Sequence, residues 1–543
     1  MDLRSISGNQ VIIWVALALG VVMALVVGSA VGSADARFVA AVLAIIPAAV
    51  IFAKLKTNIW VLLLIGWYLT GRLPSLPVPF SVRDLCLMAV IFTFTLFFAT
   101  RVLAWKRKVG LLDYLIYINL AYLATVYIRN PVGFYAMQSS MIGGRPYFEI
   151  LITLGAFAIL SRVKLSDAIA RVFPLFFLIP TGIIAVLDIL ARMVPEYSYL
   201  LASIYSGIGS LSITAGLEKA AEVGQDRITG LKDLGYVGVL ALCARYNPIT
   251  LISPLYPARG ILFGVALAAV FLSGFRATLL AVMVFFFLAA VFRRRGRDMW
   301  LAVGAAMLGI ILLISLQGSV LQLPLTMQRA LSWLPGDWDQ EAVDDAEGSS
   351  RWRLEMVEWA WNDNTILRNK VWGQGIGFSI DDMNLIASSL MAGEGGAGLL
   401  GGSDRENFMI TGTFHNGPVS AIKCVGVVGL FLYSLLILYL AVKAWKLCIL
   451  TAGSRAFPVA LFVGMPVIYF PFAFYLLTGF YEIDLVNSIF SAGLLNLTEN
   501  YYRSLSASKT DATQLKSKEI FGDRESVSLR PVALNAAGQS GSS

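Results

Sequence analysis

Apolar stretches of about 20 residues, long enough to cross the hydrocarbon core of a bilayer as a helix, recur from Val11 almost to the end of the sequence. This recurrence constrains the fold more than any single motif. Only 14% of the 543 residues are charged while 58% are hydrophobic, and the mean hydropathy is +0.75. A soluble protein covers itself with a polar shell, typically about a quarter charged residues, and this chain lacks the side chains for one. The pattern predicts an all-α fold, a polytopic integral membrane helical bundle, so counting soluble domains by length does not apply.

The chain carries 42 Lys and Arg against 34 Asp and Glu. That excess reads as a topology signal and not as a nucleic-acid surface, because the basic residues cluster in short loops between apolar segments. Lys54 with Lys56, Arg101 with Lys106-Arg107-Lys108, Arg162 with Lys164, the run Arg293-Arg294-Arg295-Gly296-Arg297, and Lys443 with Lys446 are such clusters. Placing all of them in the cytoplasm gives one self-consistent path. Its helices lie near 11–31, 38–53, 58–70, 84–100, 111–128, 146–161, 172–190, 234–245, 260–275, 277–292, 299–317, 417–441, 457–475 and 479–497. The path gives about 12–14 transmembrane helices, with both termini inside. The first apolar run, from Val11 to Val31, is too long for the core of a signal peptide and reads as a membrane helix. Cys86, Cys243, Cys424 and Cys448 lie in or beside apolar segments, without metal-ligand spacing or the look of a disulfide framework.

The path leaves three external loops, at 129–145, 192–233 and 318–414. The expected organisation is membrane helices over 1–317, a loop subdomain over 318–414, further membrane helices over 415–497, and a disordered cytoplasmic tail over 498–543. The long loop holds Trp333, Trp338, Trp352, Trp359, Trp361 and Trp372. Trp352, Met356 and Trp359 recur at helical spacing, so Arg351 to Leu367 reads as an amphipathic helix. Its tryptophans suit either stacking on sugar rings or anchoring at the membrane interface, with anchoring preferred.

The only histidine, His415, stands where the long loop enters an apolar helix. Both protonation states of histidine are accessible near pH 7, which suits a general base, although an interfacial histidine without a task occupies such positions equally well. The segment reads Phe414-His415-Asn416-Gly417-Pro418-Val419-Ser420-Ala421-Ile422-Lys423-Cys424-Val425-Gly426-Val427-Val428-Gly429. His-Asn, nine residues, Gly, two residues, Gly resembles the signature of the O-antigen ligase and O-antigen polymerase superfamily of bacterial membrane proteins. Gly426 and Gly429 are one turn apart and suit close helix packing. Upstream, Ser273-Gly274-Phe275-Arg276 resembles the family's Ser-x-x-Arg element. Ser349 to Trp361 followed by Gly373-Gln374-Gly375-Ile376-Gly377 resembles its loop helix and glycine turn, and Arg227 to Gly230 weakly resembles an Arg-x-x-Gly element. The resemblance runs from about Arg227 to Leu440 and does not extend to the first six spans.

The resemblance implies transfer of a glycan from an undecaprenyl-diphosphate-linked donor to the hydroxyl of a saccharide or lipid-linked acceptor, on the periplasmic or extracellular face of a bacterial inner membrane. His415 would be the base and Arg276 would stabilise the diphosphate, with Arg227, Asn416 and Arg145 contacting substrate. No soluble cofactor and no metal are implied, since there is no Walker-type loop or dinucleotide fingerprint. Polysaccharide export or chain-length proteins are the expected partners, along with the lipid bilayer. Asp344-Asp345 and Asp381-Asp382 read as solvated loop acids, and Glu482 and Asp484 as helix caps that could serve as alternative bases. The rival reading is a transporter of an anionic or lipid-linked glycan, with His415 relaying protons. It calls for paired repeats or broken helices near mid-membrane.

Overall fold

The computed structural model describes residues 56–74, 80–100, 109–133, 143–197, 200–201, 205–207, 228–293, 296–317, 322–364, 366–377, 412 and 414–525. These are overwhelmingly helical, with no strand among them. In chain order the helices are α1 (Val61–Gly66), α2 (Val82–Ala99), α3 (Leu111–Arg129), α4 (Arg145–Leu160), α5 (Asp167–Val172), α6 (Leu175–Met193), α7 (Thr229–Arg245) and α8 (Pro248–Ile252). They continue as α9 (Pro257–Leu272), α10 (Arg276–Phe292), α11 (Gly296–Leu316), α12 (Leu325–Leu331), α13 (Gln340–Asn362), α14 (Gly417–Leu450), α15 (Phe457–Phe472) and α16 (Tyr481–Glu525). Five apolar stretches among the described residues are long enough to cross a membrane: Val82–Ala99, Leu111–Arg129, Asp167–Met193, Gly417–Leu450 and Phe457–Leu477. Pro257–Leu272 and Arg276–Phe292 are equally apolar in kind but shorter. The protein is an all-α membrane helical bundle.

Local chemistry sets where the helices start. Ser81 Oγ accepts from Asp84 N–H at 3.1 Å while Asp84 Oδ2 accepts from Ser81 N–H at 2.9 Å, a reciprocal cap that opens α2. Asp113 does half of this for α3, accepting from Gly110 N–H at 2.7 Å. The expected spans near 11–31 and 38–53 lie outside the described residues. The short helices α5, α8 and α12 lie between expected spans and have too few residues to leave a periodic signal.

α14, α15 and α16 form the centre: α14 packs on α15, α16 and α3, while α4 lies against α16. α7 joins α6, α9, α10 and α15 on the other flank. One apolar cluster runs through the bundle. At its centre Tyr433 is fully buried, edge-on to Phe474 and Tyr481 at 5.2 Å each, and its hydroxyl bonds to Ser488 Oγ at 3.0 Å.

Two expectations are corrected. The last helix continues to Glu525, past the break expected at 498. Its polar residues there are held by neighbours: Glu499 pairs with Lys443 at 2.9 Å, Asn500 Nδ2 donates to Ser161 O at 2.9 Å, and Tyr501 OH donates to Asp167 Oδ1 at 2.8 Å. At these three positions polar residues anchor the helix to its neighbours, which a reading for disorder misses. The loop helix α13 also begins earlier than Arg351, at Gln340, where Asp339 Oδ1 accepts from Glu341 N–H at 3.1 Å. Its buried stripe is Met356 and Ala360 with half-buried Trp352, whereas Trp359 is exposed. All four cysteines are free thiols.

Candidate functional site

His415 stands one residue ahead of the N-cap of α14 with φ at 50°, the one non-glycine residue in the left-handed region among the described residues. Side chains other than Asn, Asp and His rarely adopt that conformation. It turns the imidazole between two aromatic rings, Trp352 of α13 at 5.7 Å and Phe480 at 5.0 Å. Phe414 before it is fully buried with Met356, Ala360, Leu367 and Val419, so α13 is seated on the mouth of α14. On the other side Gly417 touches the segment ahead of α16: a Cβ there would lie 2.4 Å from Phe474 O.

Asn416 is the N-cap itself, its Oδ1 accepting from Val419 N–H at 3.1 Å. This oxygen serves the helix, so the resemblance's second residue has a defined structural task. Ser420, one turn on, accepts from Tyr481 N–H at 3.1 Å and fastens α14 to the start of α16. Asp484 accepts from Phe480 N–H at 2.8 Å, the capping role expected of it.

Gly426 does not pack a continuous helix, as its spacing suggests. It breaks α14, with φ 71° and ψ 179°. The glycine turn after α13 fills the break: Gln374 N–H donates to Lys423 O and Gly375 N–H to Cys424 O, both at 2.9 Å. In return Val427 N–H donates to Lys370 O at 2.9 Å and Val428 N–H to Val371 O at 3.3 Å. Tyr122 of α3 completes the set, its OH donating to Val425 O at 3.0 Å and lying 3.3 Å from Trp372 O. The backbone groups released by the kink are therefore taken up by a loop and one tyrosine, as a break inside lipid requires. Gly373, Gly375 and Gly377 all have positive φ, which lets the turn enter. Gly429 does pack closely, its Cβ position lying 2.8 Å from the Tyr122 ring.

Arg276 begins α10 and reaches α13, where its Nη2 donates to Ala346 O at 3.0 Å and Ser350 Oγ at 3.3 Å. Ser350 is two residues from Trp352. The two residues singled out by sequence, His415 and Arg276, thus both meet the loop helix, at Trp352 and Ser350, positions two residues apart that lie on different faces of α13. Arg145 is committed elsewhere: its Nε donates to Glu149 at 2.9 Å and its Nη2 lies 3.5 Å from Asp84. Arg83 pairs with Glu149 as well. Paired with these acids, Arg145 belongs to a network at the start of α2 and α4. Arg227 lies outside the described residues, as do Asp381-Asp382.

Beneath the site, sequence reading picked out Glu482 but passed over Lys423 and Glu149. Lys423 is buried on α14, and both it and Glu149 act electrostatically on Glu482 at the start of α16. Each is a charged residue inside an apolar run, the signal that marks intramembrane function or pairing. Tyr147, whose hydroxyl accepts from Ile376 N–H at 3.0 Å, and Tyr122 left no such signal, because tyrosines are common at membrane interfaces. Asp344 accepts from Gln340 on its own helix at 2.8 Å. Four loop tryptophans, Trp333, Trp359, Trp361 and Trp372, are exposed, with Lys370 over Trp361 and Arg129 over Trp372. No protein-family model matches the chain and no curated protein matches it, so the resemblance to the ligases and polymerases rests on the residues themselves.

Proposed function

We propose that this protein is a membrane glycan transferase of the O-antigen ligase and polymerase type, acting at the outer face of a bacterial inner membrane. One observation carries the reading: His415, held in a left-handed conformation at a helix mouth, and Arg276, distant in sequence, both contact α13 within a few residues of each other. Strained backbone persists where the surrounding structure over-determines it, often at a working site.

In the reaction, the acceptor hydroxyl oxygen attacks the anomeric carbon of the lipid-linked sugar as His415 takes its proton. The carbon–oxygen bond to diphosphate breaks with inversion, and undecaprenyl diphosphate leaves with the electron pair. Arg276 stabilises the charge that grows on the diphosphate, for which a planar, permanently charged guanidinium is suited. The same guanidinium holds α13 over the mouth, so positioning and charge come from one side chain. The transferase builds surface polysaccharide, joining repeat units or passing glycan to a lipid acceptor.

The transporter reading gains one observation, the break in α14 at Gly426, since transport sites are built from discontinuous helices. In transporters the freed backbone groups coordinate cargo. Here Lys423 O, Cys424 O and Val425 O already accept bonds from the loop and from Tyr122, which weighs towards a scaffold.

The deciding assay is a glycan ladder from membranes supplied with lipid-linked donor. His415→Ala is expected to lose about 10²–10⁴-fold in rate with the protein still accumulating in the membrane. His415→Arg does not restore a base, because arginine stays protonated. Full-length glycan from the alanine variant overturns the mechanism, and rescue by arginine recasts His415 as a diphosphate contact.

A further inference from the structure

At the end of the bundle opposite His415, the turn between α14 and α15 meets the ends of α7 and α10 around a cavity of about 550 Å³. Asn247, Phe292, Arg293, Gly453 and Phe457 line it. Arg293 is the charged group in the wall. Its Nη1 donates to Ala289 O at 3.2 Å and its Nη2 to Ala244 O at 2.9 Å, and the guanidinium carbon lies 5.5 Å from the Phe457 ring centroid. A guanidinium offers five N–H donors in a fixed fork, so these two bonds leave donors over.

Among the described residues no carboxylate pairs with Arg293. The same holds for its neighbours: Arg245, two residues before Asn247, donates to Arg171 O at 3.2 Å, and Arg259 lies over the rings of Tyr246 and Tyr256 at 4.5 and 4.3 Å. Arg455 is different, being paired with Asp167 at 2.9 Å. The carbonyl ends of α7 and α10 absorb part of the Arg293 charge, and the N-terminal end of α15, where Phe457 stands, returns a partial positive charge to the same space. One arginine in the cavity wall with donors left over and, among the described residues, no paired acid, together with a helix N-terminus in the same wall, makes a receptor for an anion.

Depth in the membrane indicates which anion. Past its break at Gly426, α14 runs from Val427 to Leu450, about 36 Å at 1.5 Å per residue, against a hydrocarbon core of about 30 Å. With one end of α14 at the His415 mouth, its far end and the following turn emerge among headgroups.

We propose that this cavity binds a phosphate group, that of an anionic phospholipid headgroup. The paired donors of a guanidinium match phosphate oxygens, and surface arginines near anionic lipid add attraction that a zwitterionic headgroup does not supply. The inference does not depend on the glycan-transfer reading.

Native mass spectrometry of the full-length protein in detergent tests it, with phosphatidylglycerol and phosphatidylcholine as probes and glycerol phosphate as soluble competitor. Two variants are compared with wild type. Arg293→Gln removes the charge, and Ala452→Glu places a carboxylate on the exposed cavity wall while leaving Arg293 in place. Phosphatidylglycerol is expected to bind wild type and to bind each variant roughly tenfold more weakly or worse, the loss of a charge-assisted bond. Displacement by glycerol phosphate means that the site takes phosphate from either source, and resistance to it means that the acyl chains are part of the ligand. Retention at the wild-type level by either variant, or equal binding of phosphatidylcholine, overturns the proposal.

Discussion

His415 is fixed by backbone as much as by side-chain contacts, and that separates its chemistry from its shape. Asn is among the few residues that tolerate the left-handed region, so His415→Asn keeps the φ of 50° while removing the base. Thermal unfolding close to wild type with glycan transfer down by about 10²–10⁴-fold is the expected result. A variant that still transfers at the wild-type rate would return attention to Glu482, the half-buried carboxylate under the site. Arg276→Lys tests the partner residue. Lysine keeps the charge but lacks the guanidinium's paired donors, which could serve diphosphate while Nη2 holds Ala346 O and Ser350 Oγ, so activity falls at matched protein level, and wild-type output at that level would favour a snorkelling role. The single histidine and the intramembrane arginine were legible in sequence because each is chemically unusual where it stands. The pairing of Arg145 with Asp84 was not, because it joins the starts of two helices that are about 60 residues apart in the chain, whereas Glu149 stands one turn along the same helix.

At the scale of elements, the break at Gly426 ties α14, the glycine turn and α3 into one unit that carries His415. A Cβ on Gly426 would stand 2.1 Å from Val371 O, on a backbone with φ 71° and ψ 179° that only glycine adopts readily. Gly426→Ala is therefore expected to cost about 3 kcal/mol or more, read as a large fall in detergent melting temperature and loss of monodisperse protein. Gly264→Ala on α9 is the control: its Cβ meets nothing within 4 Å, and alanine is the better helix former. An undisturbed Gly426→Ala protein would mean that α14 runs straight and the turn lies elsewhere. Most helix positions could be read from sequence, since the hydropathy that makes a span lies within the span: the expected 84–100, 111–128, 146–161 and 277–292 fall within a few residues of α2, α3, α4 and α10. The break was hidden because glycine serves close packing and positive φ alike, and only the loop that fills the gap distinguishes them. Likewise Glu499, Asn500 and Tyr501 of α16 are held by Lys443, Ser161 and Asp167 outside that helix, which local polarity cannot reveal.

Across the whole molecule, two ends of opposite character emerge. One gathers His415, Arg276, α13 and the acid-paired Arg83 and Arg145. The other gathers Arg162, Arg245, Arg293, Lys443 and Arg455 near the ends of α4, α7, α10 and α14. Arg162, Arg293 and Arg455 sit in short connections, Arg245 ends α7 and Lys443 lies in the last two turns or so of α14, and basic residues so placed hold a membrane protein's orientation by resisting translocation. Acid pairing occurs at both ends, Arg83 and Arg145 at the first and Lys443 and Arg455 at the second, so the bias rests on the number of basic residues at the second end. The asymmetry predicts that the second end faces the cytoplasm and α13 faces outward, where a lipid-linked glycan would meet it. Single cysteines in a background with Cys86, Cys243, Cys424 and Cys448 replaced can read this, using exposed Glu358 on α13 and exposed Lys446 near the end of α14. An impermeant maleimide applied to intact spheroplasts is expected to label position 358 and to reach position 446 only after the membrane is opened. The reverse pattern would leave the bundle intact but put His415 on the side away from the donor, and the transferase reading would go with it.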